Sequence, residues 1–359
     1  MEISSNIKVS VIVPCYNVSK YIRRCLYCLK EQTLDSYEVI CIDDGSTDDT
    51  LQKLNEYKFD NVKIYSFNNQ GVSQARNEGI KVAVGEFLYF FDPDDYIVPE
   101  TLKIIYNKAI ETDSDCVQFN FQKVLEDTNI KQKSGNGNKH TGIYEKNDIL
   151  KVYVPRFIGF SASNISKYGT QLFFKNKEMC SVWRFLYKRS IIVDNNIFFS
   201  KKIHLGEDTL FNCEYFCYSK RICYIDDVLY TYYSKASGAM LSSLNNMNTL
   251  LKNKIGGVEE RTRLQYLYKE KHNMDIFPLY AGSLFLSAIE LSVKSSFSIK
   301  GIKILLKYIS QQKVLQAIDI IPIKGNIKIK TLLLMYKLRF FKLSFLLIYI
   351  ANKVGIKMQ

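Results

Sequence analysis

The sequence predicts an α/β protein in which helices cover both faces of a mostly parallel sheet and a helical region follows at the C-terminal end. Two observations support this prediction. Over about the first 110 residues, short apolar runs alternate four times with helical patterns, as in parallel strands joined by crossover helices. From about residue 240, strand signals become few and helical patterns prevail. With 359 residues and 47% hydrophobic residues, the chain can bury a large core.

Each predicted strand in the first part is a short apolar run that ends at turn-forming residues, and a pattern of helical period follows it. The strands are predicted at residues 8–17, 39–42, 62–67 and 87–91. The helices are predicted at residues 21–32, 47–54, 71–84 and 99–110. Beyond residue 112 the patterns are less regular, and they predict a strand at 116–125, a polar surface loop at 127–142, a helix at 182–192, a helix from Glu207 and a strand with a central turn at 221–233.

Acidic residues follow the second and fourth predicted strands. Asp43 and Asp44 end the second strand, and Asp92 and Asp94 follow the fourth. Because the carboxyl ends of parallel strands lie at one edge of a sheet, the two acidic ends predict a single site. Two unit charges about 5 Å apart repel by about 3 kcal/mol at an effective dielectric near 20, so Asp92 and Asp94 need a cation or strong donors nearby. A hard divalent metal would serve, while a solvated turn that caps the helix near Pro99 is the alternative.

Six segments occur in order between residues 7 and 235, namely VSVIVPCYN, YEVICIDDGSTDDT, GVSQARNEGI, FLYFFDPDD, VWRFLYKR and GED. In this order and spacing they resemble the inverting family 2 glycosyltransferases, whose catalytic domain has the Rossmann-like GT-A fold of nucleotide-diphospho-sugar transferases. The resemblance implies a catalytic domain over residues 1–240, with a nucleotide-binding half to about residue 112 and an acceptor half at about 113–240. Residues 241–359 then form a helical, basic C-terminal region.

The resemblance also implies which residues bind the donor. Pro14, Tyr16 and Asp44 would border the nucleotide base and ribose. Arg76 would be the cation near the nucleotide, although a single arginine on a helix is more often solvated. Asp92 would contact the ribose or a metal-bound water.

The remaining roles concern the metal, the base and the acceptor. By resemblance Asp94 is the direct ligand of Mn²⁺ or Mg²⁺, assisted by Asp92, and the metal neutralises charge on the departing nucleoside diphosphate. Asp208 matches the acid that takes the proton from the attacking hydroxyl. Glu207 and Trp183 are expected at the acceptor. The alternative for Glu207 and Asp208 is that they only favour a helix N-terminus through its dipole.

The implied function is non-processive, because the Q-x-x-R-W signature and flanking membrane spans of the processive synthases do not occur in this sequence. We expect inverting transfer from a nucleotide-diphospho-sugar to a hydroxyl of a glycan acceptor, in cell-surface polysaccharide assembly on a lipid carrier. The alternative is a non-catalytic nucleotide-sugar or carbohydrate-binding module with the same fold.

The formal net charge of +13 is unevenly distributed. Residues 1–100 carry 10 basic and 16 acidic side chains, a net charge of −6, whereas residues 301–359 carry 11 basic and 1 acidic, a net charge of +10. An amphipathic helix is predicted at residues 298–312. Its apolar stripe contains Ile302, Leu305, Leu306 and Ile309, and its other side contains Lys300, Lys303 and Lys307. Charges within residues 331–350 disfavour a membrane span but allow attachment to anionic lipid.

The alternative for the C-terminal region is a helical subdomain whose apolar stripe packs on the protein. Its aromatic residues lie within aliphatic runs, which favours lipid over stacking on nucleic-acid bases. The nine cysteines are odd in number and scattered, so we expect no disulfide framework and a reducing compartment. The first residues lack the features of a signal peptide. We therefore expect a cytoplasmic protein that can lie on the cytoplasmic face of the membrane.

Overall fold

A computed structural model describes residues 7–125, 131–134, 141–168, 179–234, 246–295, 299–323 and 327–353. The chain forms two compact units. The first contains residues 1–154 and 180–238, and the second contains residues 155–179 and 239–359. The predicted domain boundary between residues 240 and 241 lies outside the described residues.

The first unit contains a mixed sheet. Its strands are β1 Val9–Cys15, β2 Tyr37–Asp43, β3 Val62–Ser66, β4 Phe87–Phe90, β5 Tyr96–Ile97, β6 Cys116–Leu125, β7 Lys131–Ser134, β8 Gly142–Glu145, β9 Phe185–Lys188 and β10 Arg221–Ser234. In the sheet they follow the order β3-β2-β1-β4-β9-β6-β10-β5, with β7 beside β6 and β8 beside β10. The first four of this order are parallel to one another, and β9 is antiparallel to both of its neighbours.

The helices of the N-terminal part follow the predicted alternation with the strands. They are α1 Ile22–Lys30, α2 Thr50–Tyr57, α3 Val72–Val82 and α4 Thr101–Glu111. After β8 come α5 Lys146–Asp148, a π-helical turn Ile149–Tyr153, α6 Val154–Phe157 and α7 Ala162–Tyr168, and then a 3₁₀ turn Val182–Arg184, α8 Arg189–Asp194 and α9 Glu207–Tyr218. The four predicted strand and helix pairs are confirmed, with shifts of a few residues at their ends.

Strand β1 shows why helices lie on both faces of the sheet. All seven of its residues are buried. Val11 and Val13 belong to the core cluster that includes Leu26 of α1, whereas α3 covers the opposite face at Ile12. A Cβ at Gly79 of α3 would lie 2.4 Å from Cγ2 of Ile12, so glycine is required where α3 crosses β1.

Two predictions between residues 112 and 192 are wrong. The helix predicted at 182–192 is a 3₁₀ turn, strand β9 and the short helix α8. Because β9 is buried between β4 and β6, its apolar run has no exposed face to show a strand period. The loop predicted at 127–142 contains β7, and β8 starts at its last residue, Gly142. Strand β7 pairs with β6 and β8 pairs with β10. These pairings are made by main-chain hydrogen bonds, which need no apolar pattern in the sequence.

The predicted turn within residues 221–233 is also wrong. Residues Arg221–Ser234 form one continuous strand, β10. Its pairing with β6 shifts register between Tyr224 and Val228 and again between Val228 and Tyr230. A bulge therefore accommodates Asp226 and Asp227, and the strand continues beyond them.

In the second unit every described element is a helix. Besides α7 and all but the first residue of α6, these are α10 Met247–His272, α11 Phe277–Lys294, α12 Ile299–Ile309, α13 Gln312–Ile320, α14 Ile327–Lys337 and α15 Phe341–Lys353. Helix α11 lies at the centre and contacts α7, α10, α12, α13 and α15. A Cβ at Gly282 would lie 2.4 Å from the carbonyl oxygen of Ser161, so the chain before α7 approaches the α11 backbone directly.

The predicted amphipathic helix is confirmed as α12. Within the predicted stripe Leu305 and Ile309 are buried, and Ile302 and Leu306 are half-buried. The three lysines of the other side are exposed. The buried side of α12 contacts α10, α11 and α13 within the same unit, and the Tyr308 hydroxyl donates to the carbonyl oxygen of Leu284 at 3.1 Å. The apolar stripe of this helix is therefore used for packing inside the helical unit.

None of the helices in the described ranges combines the length and the apolar character that crossing a membrane requires.

All nine cysteines lie in the described part of the chain, and each is a buried free thiol. The absence of a disulfide framework, predicted from their number and spacing, is therefore confirmed.

Candidate active site

The two acidic strand ends lie at the same edge of the sheet. Strand β1 is parallel to both β2 and β4, with Cys15 opposite Asp43 and Ile12 opposite Phe90. Asp44 follows β2, and the acidic turn that contains Asp92 follows β4. The parallel pairing therefore places these acids at the carboxyl edge, where α/β sheets bind their ligands.

Asp44 connects this edge to the start of α3. Its Oδ1 accepts a hydrogen bond from the backbone N–H of Gln70 at 2.8 Å, and its Oδ2 accepts one from Gly71 at 2.7 Å. Gly71 has φ 93°, a conformation that favours glycine, and it directly precedes α3. The neighbouring Asp43 accepts hydrogen bonds from the Ser46 backbone and the Ser66 hydroxyl. Asp44 thus holds the loop from which α3 begins.

Arg76 of α3 lies at the centre of the site. Its Nη1 is 2.8 Å from Oδ1 of Asp208 and 3.4 Å from Oε1 of Glu207, and its Nη2 is 3.2 Å from Oδ1 of Asp92. The side chain is 5% exposed, so burial acts to lower the pKa of Arg76, but the three carboxylates outweigh burial and raise it. A permanently charged guanidinium therefore joins the acidic turn after β4 to the start of α9.

The two acids of α9 occupy its first turn, where the helix dipole favours negative charge. Gly206 precedes them with φ 91°, and Oδ2 of Asp208 accepts the backbone N–H of Val182 at 3.2 Å. Burial raises the pKa of Asp208, and Arg76 opposes part of that rise. Burial, followed by the charge of Asp208, raises the pKa of Glu207 to about 7. These two carboxyl groups therefore hold protons more readily than exposed acids do.

The acidic turn after β4 separates its three acids. The Asp95 backbone N–H donates to the carbonyl oxygen of Asp92 at 3.1 Å, which closes the turn. The Asp95 carboxylate is buried and accepts hydrogen bonds from the Tyr230 hydroxyl and, at 2.8 Å, from the Tyr233 backbone. Burial, followed by the charges of Asp94 and Asp92, raises the pKa of Asp95. Asp95 thus fixes the turn to β10, while Asp92 and Asp94 remain partly exposed.

The metal prediction depends on these two partly exposed acids. Among the residues that the structure describes, no group of three or more His, Cys, Asp or Glu side chains is placed to hold a metal ion. Asp92 and Asp94 supply carboxylate oxygens, the ligand type that Mn²⁺ and Mg²⁺ prefer. Two carboxylates alone do not complete the six or more oxygen ligands of a hard cation, so a metal at this pair would need further oxygen ligands from outside the chain.

The other predicted site residues differ in exposure. Pro14 is buried in β1, and Tyr16, just after the strand, is 48% exposed. Trp183 is 3% exposed, and its ring stacks on Tyr230 with centroids 4.1 Å apart and an interplanar angle of 8°. The role of Tyr16 at the nucleotide base and that of Trp183 at the acceptor stay predictions, and for Trp183 only a small part of the ring is accessible.

Two residues at the site were not predicted from the sequence. The Phe199 ring lies 5.3 Å from the guanidinium carbon of Arg76, and the Asn77 side chain exchanges two hydrogen bonds of 2.8 and 2.9 Å with the Phe199 backbone. Together they fix α3 against the segment before α9. Asn77 offered a signal, since it is a polar residue next to Arg76 on a helix, but Phe199 lies 122 residues away with no local pattern.

Comparison with known proteins identifies a matching family and relatives of similar sequence. The family model for glycosyl transferase family 2 matches residues 10–192. A poly(ribitol-phosphate) beta-glucosyltransferase of Bacillus spizizenii is 31% identical over 241 residues, which are 66% of this chain and 33% of that protein. The uncharacterized glycosyltransferase YibD of Escherichia coli is 32% identical over 234 residues, 64% of this chain and 62% of YibD. The chain thus spans less than two thirds of the length of these relatives.

Solved structures support the fold. The crystal structure of S. aureus TarS 1–349 in complex with UDP-GlcNAc superposes with a TM-score of 0.62 and 22% identity, and the match covers 97% of this chain and 92% of the TarS chain. This likeness confirms the predicted GT-A fold with its C-terminal helical region. Because the family model covers more than half of the chain, the protein belongs to glycosyl transferase family 2.

Proposed function

We propose that the protein transfers one sugar per encounter from a nucleotide-diphospho-sugar to a hydroxyl of a glycan acceptor, with inversion at the anomeric carbon. The observation that supports this proposal most is the set of ion pairs that Arg76 makes with Asp92, Glu207 and Asp208. One buried guanidinium contacts Asp92, on the side of the proposed donor, and Asp208, on the side of the proposed base. Such a link would hold the acid that receives the proton at a constant position relative to the leaving group.

In the proposed reaction Asp208 is the general base. The acceptor hydroxyl attacks the anomeric carbon, its proton passes to the Asp208 carboxylate, and the bond from the anomeric carbon to the diphosphate oxygen breaks. A positioned base contributes about 10²- to 10⁴-fold in rate. Burial favours the protonated product of this transfer, and Arg76 favours the charged form before it. A single displacement of this kind inverts the anomeric configuration.

The donor would lie along the carboxyl edge of the sheet. In this proposal Pro14, Tyr16 and Asp44 border the nucleotide base and ribose, and the partly exposed Asp92 lies beside the ribose or a metal-bound water. Asp94, assisted by Asp92, would hold Mn²⁺ or Mg²⁺, and the bound ion would neutralise charge on the departing diphosphate. Arg76 adds a permanent positive charge next to Asp92.

Glu207 and the accessible edge of Trp183 would contact a glycan, and the related glucosyltransferase is named for a poly(ribitol-phosphate) acceptor. We propose an acceptor carried on a membrane lipid, in cell-surface polysaccharide assembly at the cytoplasmic face. The net charge of +10 over residues 301–359 supports a position near an anionic surface.

The test is turnover of nucleotide-sugars by the purified full chain with Mn²⁺ or Mg²⁺, starting with UDP-sugars and soluble glycan or poly(ribitol-phosphate) acceptors. Asp208→Asn should lower kcat by about 10²-fold or more, because asparagine cannot accept the proton. The exposed Asp194→Asn is the matched control and should keep wild-type turnover. Wild-type turnover in D208N would contradict the proposed base. Donor binding without turnover by the wild-type chain would instead identify a non-catalytic nucleotide-sugar-binding module.

A further inference from the structure

The last two helices carry large apolar side chains on their solvent side. We define the exposed apolar face as six residues that are each 44–54% exposed, namely Leu334, Leu338, Phe340, Leu343, Leu347 and Ile350. Leu334 lies in the last turn of α14, and Leu338 and Phe340 lie in the connection to α15. The other three lie four and three residues apart along α15, so they share one side of that helix. Exposed apolar residues therefore recur from the end of α14, through the connection, and along one side of α15.

The opposite side of the same helices is also apolar. Leu333 and Tyr336 of α14, and Phe345 and Ile348 of α15, are buried inside the helical unit. A helix that packs on a protein and faces water is expected to be polar on its outer side, as α12 is with its three exposed lysines. Single exposed apolar residues need no explanation, but six within two consecutive helices and their connection indicate a surface that contacts something other than water.

The charged residues of these two helices and their connection have a single sign. Residues 327–353 contain no aspartate or glutamate, whereas they contain several basic residues. Lys330 and Lys342 are exposed beside the face. Arg339 has the left-handed φ of 63° in the connection, and its Nη2 pairs with the Asp319 carboxylate at 2.9 Å. Exposed apolar residues and two exposed lysines, for which the described residues supply no carboxylate partner, therefore lie on the same two helices.

We propose that the exposed apolar face seats the protein on an anionic lipid bilayer. The leucine and phenylalanine side chains would enter the boundary between head groups and acyl chains, and Lys330 and Lys342 would lie among the lipid phosphates. Helix α12, whose apolar side is buried, does not make this contact. The inference deepens the membrane location of the proposed function by naming the surface, and it requires no sugar transfer.

A second copy of the chain fits this face less well than lipid does. In a two-fold dimer the face would pack on itself, and Lys330 and Lys342 of each copy would approach the same residues of the other. Like charges brought together in this way oppose association. Anionic lipid, in contrast, neutralises them.

The experiment is co-sedimentation of the full chain with vesicles of phosphatidylcholine, with and without phosphatidylglycerol, in the absence of donor sugar. The wild-type chain should bind the phosphatidylglycerol vesicles, and added salt should weaken binding. Two double variants should each bind these vesicles at least about tenfold more weakly. One combines Leu343→Ser with Leu347→Ser, and the other combines Lys330→Gln with Lys342→Gln. The matched controls are Tyr266→Ser, whose side chain is 67% exposed on α10, and the exposed Lys252→Gln, and both should bind like wild type.

Three outcomes would overturn the inference. One is no preference of the wild-type chain for phosphatidylglycerol vesicles, and another is wild-type affinity in the leucine variant. The third is self-association that the leucine variant abolishes without vesicle binding by wild type, which would assign the face to a second copy. Circular dichroism verifies that each variant retains its helices. Turnover on soluble acceptors is measured separately, so failure of sugar transfer and failure of lipid binding are distinguishable.

Discussion

Replacing Arg76 by methionine should destabilise the first unit. The substitution keeps a long side chain but removes the charge that lies among Asp92, Glu207 and Asp208. Removing one partner of a buried ion-pair network costs about 3–5 kcal/mol. Because the three carboxylates are 12–26% exposed and can gain some hydration, we expect the lower end, about 3 kcal/mol of unfolding free energy at about pH 8.

This loss should shrink as the pH falls. With Arg76 present, burial already raises the pKa of Glu207 to about 7 and raises the pKa of Asp208. Without the guanidinium both values rise further, so the folded protein binds protons that the unfolded chain, with carboxyl pKa values near 4, has released. The unfolding free energy then falls with rising pH between the unfolded and folded pKa values. The deficit of the variant should therefore be largest above about pH 7 and small near pH 5.

Trp183 is the only tryptophan in the sequence and is buried in the first unit, so its fluorescence can follow urea unfolding of that unit. Arg23→Met, at an exposed position of α1, is the control and should change stability by no more than about 0.5 kcal/mol. Combining Arg76→Met with Asp208→Asn should recover part of the loss, because asparagine removes one of the three carboxylates that lack their cation in the single variant. A loss of unfolding free energy below about 1 kcal/mol at about pH 8, or an equal loss at about pH 8 and pH 5, would refute the charge argument.

Two further predictions concern Glu207 and Asp94. We expect the pH profile of activity to have an inflection near pH 7, because burial raises the pKa of Glu207 to about 7. Glu207→Gln should remove this inflection and raise the acceptor KM, whereas the exposed Glu56→Gln should leave both unchanged. An inflection that remains in the Glu207 variant would belong to another group. Asp94→Asn should raise the concentration of Mn²⁺ needed for half-maximal activity by about tenfold or more. The exposed Asp60→Asn should leave this concentration unchanged. An unchanged metal requirement in the Asp94 variant would exclude Asp94 as a ligand.

The parallel half of the sheet could be predicted because its signals are local. Strand β1 is buried on both faces, which gives a continuous apolar run, and the helix after it repeats apolar residues at helical spacing. The acids after β2 and β4 could be placed at one edge, since parallel pairing brings the carboxyl ends together. The same logic failed for β9, whose buried run of four residues is compatible with a helix or a strand.

The contacts within the site could not be predicted. Arg76 meets Asp208 across 132 residues, and whether a helical arginine is solvated or buried depends on which side of α3 faces the sheet. Asp95 stands beside Asp94 in the sequence, yet its carboxylate is buried against β10. In the C-terminal region, α12 and α15 are both apolar and basic in sequence, and burial distinguishes the packed stripe of α12 from the exposed face that continues onto α15.

The α/β class, the family resemblance, the acidic strand ends and the charge asymmetry are all readable from the amino-acid sequence, because they depend on composition, short periodic patterns and residue order. Only the three-dimensional contacts show which acids share Arg76, which acid closes the turn, and which apolar residues of the C-terminal helices face water. These outcomes depend on contacts between distant segments and on the removal of water from particular side chains, and neither is encoded in a local pattern.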